Sequence, residues 1–281
     1  MPKLAVLGHP VAHSRSPAMH TAALEHMGLG GDWSYEAIDV APERFEEAVR
    51  EVAAGDFAGV NVTVPHKAAA LALADRATDA ARAIGAANTL SFASGQIVAE
   101  NTDATGLLEA LGSDPSGAEA LILGAGGSAR ACAWALRGAG AHVRIHNRTA
   151  SRARDLARDI GVGVAEAELG GVSLDGIDLL INTTTVGLES ANRPSAGRPS
   201  SDEADLKALG VDADALGEGM TVIDLVYGRR PTALITAASK KEARTIEGIE
   251  VLVAQGAASL RIWTGIAPPI DVMARAARAS T

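Results

Sequence analysis

Short apolar runs alternate with helical patterns, and they do so in two separate series along the chain. In the first series, Lys3 to Gly8, Trp33 to Val40 and Gly59 to Val64 read as strands. Ser16 to Met27, Glu43 to Ala54 and Lys67 to Ala74 read as helices, with Pro17 in the first turn of the first. In the second series, Ala120 to Leu123, His142 to His146, Leu179 to Asn182 and Thr221 to Val226 read as strands. Ser128 to Gly138 and Ser151 to Ile160 read as helices. Parallel strands need crossovers, and helices supply them, so each series predicts a mostly parallel sheet covered on both faces. The expected fold class is α/β in two domains joined near Thr102 to Gly106, with further helices over 251–262 and 271–279. Residues 189–219, with Pro194, Pro199 and seven acidic residues, break the rhythm and are expected to form a mobile excursion.

Composition narrows the function classes. The 281 residues suit two domains of roughly 150 residues each. Hydrophobic residues make up 47% and charged ones 21%, which predicts packed cores and excludes a mostly disordered chain. The net charge of −9, with no basic run, argues against binding nucleic acid through its phosphates. One cysteine, Cys132, excludes an intrachain disulfide and a cysteine-cluster zinc site, and its apolar helical setting reads as core. The seven histidines show no H-E-x-x-H spacing, so no metal is expected. The N-terminal residues lack a signal-peptide pattern, and no apolar run reaches the roughly 20 residues that span a bilayer. A cytoplasmic protein acting on a small molecule is expected, and the sequence allows a homodimer.

Leu121-Ile-Leu-Gly124-Ala125-Gly126-Gly127-Ser128-Ala129 fits G-x-G-x-x-A between an expected strand and an expected helix. Such glycines allow a tight turn and let the backbone approach a pyrophosphate at a helix N-terminus. They can also serve packing alone. Where a cofactor with a free ribose 2′-hydroxyl would meet an acid, about 20 residues on, this chain has His146-Asn147-Arg148-Thr149 and then Arg152. A guanidinium can pair with a 2′-phosphate, which favours NADP over NAD; the two arginines otherwise read as solvated charges. Asn182-Thr183-Thr184-Thr185 forms a polar loop at the end of another expected strand, where a cofactor or an ordinary turn could lie.

A second set of polar residues follows the strands of the first series. Ser14 and Ser16 flank Arg15 beside a helix start, where they can hold a carboxylate, or Ser16 can cap the helix. Asn61 and Thr63 share one face by strand alternation, with Lys67 just beyond. Asn88 and Asp103 stand at loop positions and add an amide and a carboxylate. Together these residues predict a polar, metal-free pocket with one acid/base pair, Lys67 and Asp103.

With G-H-P-V-A-H-S-R-S-P at 8–17, N-V-T-V-P-H-K at 61–67, G-A-A-N-T at 85–89, N-T-D at 101–103, G-A-G-G-S-A-R at 124–130, N-R-T at 147–149, D-L-V-Y at 224–227 and L-V-A-Q-G-A at 252–257, the chain resembles the shikimate dehydrogenase family over nearly its whole length. The resemblance implies an N-terminal substrate domain over 1–103, a Rossmann NADP domain over 104–245, and C-terminal helices over 246–281 that return to the substrate domain. It implies reversible NADPH-dependent reduction of 3-dehydroshikimate to shikimate, in aromatic amino-acid biosynthesis. By the same resemblance Ser14 and Ser16 hold the substrate carboxylate with help from Tyr227, and Asn61, Thr63, Asn88, Asp103 and Gln255 bind ring hydroxyls. Lys67, paired with Asp103, is the acid/base residue. Gly124, Ala125, Gly126, Gly127 and Ser128 cradle the pyrophosphate. Asn147, Arg148, Thr149 and Arg152 hold the 2′-phosphate, and Leu225 and Gly248 line the nicotinamide. The run Gly228-Arg229-Arg230-Pro231 and Val251 depart from the family pattern. An NAD-dependent quinate/shikimate dehydrogenase would call for an acid at Asn147. A non-catalytic NADP-binding sensor would have no use for Lys67 and Asp103.

Overall fold

The computed structural model describes residues 1–166, 171–192 and 200–279. The chain divides into two units: 1–109 with 252–281, and 110–251.

The first unit contains β1 (Lys3–Gly8), α1 (Ser16–His26), β2 (Ser34–Asp39), α2 (Phe45–Ala54), β3 (Phe57–Val62), α3 (Lys67–Leu73), β4 (Arg76–Ala77), α4 (Asp79–Ile84), β5 (Thr89–Ala93), β6 (Gln96–Glu100) and most of α5 (Asp103–Leu111). Its sheet runs β2-β1-β3-β5-β6-β4. The pairs of β1 with β2 and β3 are parallel, as the alternating pattern predicts, and β4 with β6 is parallel too. The β5–β6 hairpin is antiparallel to β3 and within itself. The sequence reading passed over it. The turn residues Ser94 (φ 53°) and Gly95 (φ 73°) both have positive φ, the geometry of a tight two-residue hairpin. In β1, Leu4, Ala5, Val6 and Leu7 are all buried, so the strand is sandwiched rather than one-sided. Phe45, Val49 and Val52 of α2 pack on the same core as Leu7, Val60, Val62 and Leu90.

The second unit contains β7 (Glu119–Leu123), α6 (Gly127–Gly138), β8 (His142–His146), α7 (Ala150–Ile160), β9 (Gly163–Val164), β10 (Leu179–Asn182), α8 (Leu188–Asn192), α9 (Ser200–Leu209), β11 (Thr221–Asp224), α10 (Ala233–Lys240) and β12 (Arg244–Glu247). The sheet order is β12-β11-β10-β7-β8-β9 and every pairing in it is parallel. The chain winds outward from β7 in one direction and from β10 in the other. These two strands are neighbours, and their C-terminal ends form the switch point where a doubly wound sheet takes its ligand. The last helices are α11 (Gly248–Thr264), which begins in the second unit and continues into the first, and α12 (Ile270–Ala279), which belongs to the first.

The stretch 189–219 departs from expectation. Residues 193–199 lie outside the described residues. The rest is not a loose excursion: α9 and the segment after it bury Leu209, Val211 and Leu216 on the same core as Leu180, Val222 and Leu234. Apolar residues placed among the acids anchor the segment, and a count of Pro, Ser and acidic residues hides them.

Candidate active site

The first unit gathers its polar residues at the C-terminal ends of β1 and β3. A Cβ at Gly8 would stand 2.3 Å from Thr63 Cγ2, so the loops leaving β1 and β3 touch there. Asp39, at the end of β2, pins the first loop by accepting from the Val11 backbone N–H at 3.0 Å. Ser14 N–H then donates to Val11 O, and Ser16 N–H to Ser14 Oγ at 3.3 Å. Ser16 lies inside α1; the N-cap position is Arg15 and carries no side-chain capping bond. The capping role allowed for Ser16 is therefore not realised. Ser14 and Ser16 stand together at this helix start, with Ser14 half-buried and Ser16 buried.

Lys67 opens α3 directly after a fixed histidine. His66 is buried, stacks on Phe45 with centroids 4.3 Å apart, and donates from Nε2 to Val40 O at 2.7 Å. Burial lowers its pKa, and the stacked, hydrogen-bonded ring serves as an anchor. From that position Lys67 Nζ reaches Asp103 Oδ2 at 2.6 Å, with only 12% and 13% of the two side chains exposed. Asp103 begins α5, where the unpaired backbone N–H groups of a helix start favour a carboxylate.

Asn88 sits behind this pair. Its Oδ1 accepts from the Thr102 backbone N–H at 2.7 Å, which fixes the amide's orientation because a backbone N–H can only donate. The Nδ2 group therefore faces Asp103 Oδ1 (2.9 Å), Thr102 Oγ1 (2.9 Å) and Gln255 Oε1 (3.0 Å). Gln255 comes from α11, its own Nε2 donating back to Leu252 O. The approach is close because residue 106 is glycine: a Cβ there would lie 2.7 Å from Gln255 Cβ. Asn61 behaves differently from the others. It is buried, accepts at Oδ1 from Tyr35 Oη (2.8 Å) and donates from Nδ2 to Ser259 Oγ (2.8 Å), with longer contacts to Asn88 O and Thr89 Oγ1. Its bonds run into the protein rather than outward. Tyr35, Thr89, Thr102 and Ser259 were not singled out from the sequence. The signal available for Ser259 was its place one helical turn after Gln255.

The second unit carries the glycine turn at the switch point between β7 and β10. Gly124 has φ +115°, and a Cβ on it would stand 2.5 Å from Thr183 Oγ1, so both conformation and space demand glycine. Thr183 Oγ1 in turn donates to Leu123 O, which locks β10 to the turn. Gly126 is the N-cap of α6 and a Cβ there would meet nothing within 4 Å, so no protein atom requires a glycine at this exposed place. The open place at a helix N-terminus leaves room for a ligand to approach the backbone. Ala129 is fully buried, as the small third position should be. Ala125, Gly127 and Ser128 are half-buried around the helix start.

At the end of β8, Asn147 Nδ2 donates to Thr149 O, closing the turn into α7, whose N-cap is Thr149. Arg148 and Arg152 are exposed, and neither has a carboxylate within 4.0 Å among the described residues. Leu225 and Gly248 meet: a Cβ on Gly248 would stand 2.5 Å from Leu225 O. Tyr227 is half-buried in the loop after β11. The residues present thus fit an NADP: an open glycine at a helix N-terminus for pyrophosphate, cations and no acid for the 2′-phosphate, and a backbone wall at Leu225. No group of metal-ligating side chains occurs among the described residues. No helix of the described residues is long and apolar enough to cross a membrane.

Known proteins bear on this arrangement in three ways. Residues 6–90 match the shikimate dehydrogenase substrate binding domain, 107–192 the shikimate/quinate 5-dehydrogenase domain, and 248–278 the shikimate 5′-dehydrogenase C-terminal domain. The chain is 43% identical over 277 residues to the shikimate dehydrogenase (NADP(+)) of Methanothermobacter thermautotrophicus, covering 95% of this chain and 93% of that one. It is 43% identical to the Thermus thermophilus enzyme of the same name, covering 99% and 98% of the two chains. The structure superposes on that of a Thermus thermophilus shikimate 5-dehydrogenase in complex with NADP(H) and shikimate, with a TM-score of 0.84, 41% identity and full coverage of both chains. The chain belongs to the NADP-dependent shikimate dehydrogenase family.

Proposed function

We propose that this protein catalyses the reversible, NADPH-dependent reduction of 3-dehydroshikimate to shikimate. The observation that carries the reading is the Lys67–Asp103 pair at 2.6 Å, with Asn88 donating to Asp103 and in turn to Gln255. Bound NADPH would supply the hydride. The chain's own residues have three tasks. Ser14 and Ser16 are suited to the substrate carboxylate, since two hydroxyl donors at a helix start favour an anion. Asn88, Gln255 and Thr63 are suited to ring hydroxyls, with Tyr227 assisting at the carboxylate.

Lys67 handles the proton. As the carbonyl oxygen gains negative charge it needs a cation close by and then a proton, and the Nζ ammonium supplies both. In the reverse direction the neutral amine takes the proton of the alcohol. Asp103 holds the ammonium in position by charge and a short hydrogen bond. Asn88 keeps the carboxylate from turning by occupying its other oxygen. On the cofactor side, Gly124 to Ser128 are suited to the pyrophosphate, Asn147, Arg148, Thr149 and Arg152 to the 2′-phosphate, and Leu225 with Gly248 to the nicotinamide. The proposed compartment is the cytoplasm, where such a reductase would draw on NADPH.

The test is turnover of purified protein with shikimate or quinate against NADP or NAD, with the product identified by mass. Fast NADP reduction with shikimate is expected. Turnover of quinate only, or preference for NAD, would overturn the substrate or cofactor assignment, and no turnover by protein that still binds NADPH would point to a sensor.

A further inference from the structure

Behind Asn88 lies a group of buried hydroxyls that no substrate atom needs to reach. Ser259 Oγ is at its centre, fully buried on α11 four residues after Gln255. It receives Asn61 Nδ2 at 2.8 Å, lies 2.8 Å from Thr89 Oγ1 and 3.0 Å from Thr102 Oγ1, and donates to Gln255 O at 3.1 Å. A serine hydroxyl has one proton and two lone pairs, three bonds in all, so its four neighbours fill that capacity with one to spare. Two of those neighbours, Thr89 and Thr102, also lie 3.3 Å and 3.2 Å from Asn88 Oδ1. A third, Asn61, is held from its other end by Tyr35, whose ring stacks on the fully buried His20 at 4.2 Å. Ser259 thus joins α11, β3, β5 and the start of α5 at one atom.

We propose that Ser259 is a positioning residue for the reaction: it fixes the hydroxyls that fix Asn88, and through Asn88 the angle of the Asp103 carboxylate and the reach of Lys67. This rests on the proposed function. The physical ground is that a polar network in a dry interior is stiff when fully satisfied and loosens when one member is lost. Alanine at 259 would leave Asn61 Nδ2 with only its longer contacts to Asn88 O and Thr89 Oγ1, and would take one partner from each threonine hydroxyl. The network holds geometry at the reacting end, so kcat should suffer more than substrate binding.

The experiment is a double-mutant cycle in the full-length protein, with kcat and KM for shikimate measured for wild type, Ser259→Ala, Asn88→Ala and the double variant. Ser259→Ala should lower kcat roughly 10- to 100-fold, the scale on which small misplacements act, with KM shifted less than about threefold. In the Asn88→Ala background the same change should cost nothing further, because the residue it acts through is gone. Equal losses in both backgrounds, or an unchanged kcat, would overturn the proposal. If Ser259→Ala does not fold, the cycle with Ser259→Cys, which keeps the volume and a weak donor, decides in the same way. Absence of wild-type turnover would overturn the proposed function and this inference together; turnover with an unaffected Ser259→Ala would overturn the inference alone.

Discussion

Replacing Asp224 by asparagine should remove a pH dependence of stability that the native chain carries. Asp224 ends β11 with no exposed surface. Its Oδ1 accepts from Asn182 Nδ2 at 2.8 Å and from the Val226 N–H at 3.0 Å, and its Oδ2 accepts from Thr232 Oγ1 at 2.6 Å. Burial raises its pKa from 3.8 to about 6, aided by the Asp205 carboxylate and outweighing these three bonds, which all favour the charged form. The gap of about two pH units corresponds to about 3 kcal/mol. Between 3.8 and about 6 the folded chain keeps a proton that the unfolded chain has released. Stability from this group is therefore fully present below 3.8 and is lost as pH rises through about 6. Asparagine stays neutral throughout. Urea denaturation of both proteins across that window should show the wild-type value, less that of Asp224→Asn, falling by about 3 kcal/mol as pH rises. Subtracting the variant at each pH removes the titration of every other carboxylate. A difference that stays flat, or that grows with pH, would refute the reasoning.

Arg148→Ala should weaken NADPH far more than NADH, by roughly 1.5–3 kcal/mol for one charged hydrogen-bonding partner of the 2′-phosphate; fluorescence titration with both cofactors measures it, and equal losses would count against the assignment. Gly106→Ala puts a methyl 2.7 Å from the backbone N of Gln255. It should cost about 1–3 kcal/mol of stability by overpacking and lower kcat/KM for shikimate, read by denaturant melts and steady-state kinetics; a neutral effect on both would show that α11 yields there.

Much of this chain is legible because its chemistry sits at strand ends. Apolar runs located β1, β3, β7, β8 and β10, and the candidate site residues Ser14, Lys67, Gly124 and Arg148 lie just beyond them. The Gly124–Ala129 turn could be read because its spacing serves one backbone geometry. The β5–β6 hairpin escaped because its strands are short and its turn, Ser94-Gly95, is a weaker signal than Asn-Gly. Strand alternation puts Asn61 on the face of Thr63, and the resemblance alone gives it a ring hydroxyl; its hydrogen bonds in the fold run to Tyr35 and Ser259. Alternation gives the face of a strand and says nothing of which partner from a distant helix will fill it. Ser259 lies 198 residues from Asn61, and only the folded chain brings the two together.

The proposed catalysis turns on the proton carried by Lys67, and kcat of Lys67→Ala at saturating shikimate and NADP is its sharpest test. The expected result is a fall of roughly 10²–10⁴-fold, the range for one acid/base group, with KM changed far less and NADPH binding retained. A kcat within a few-fold of wild type, in a folded variant, would contradict it.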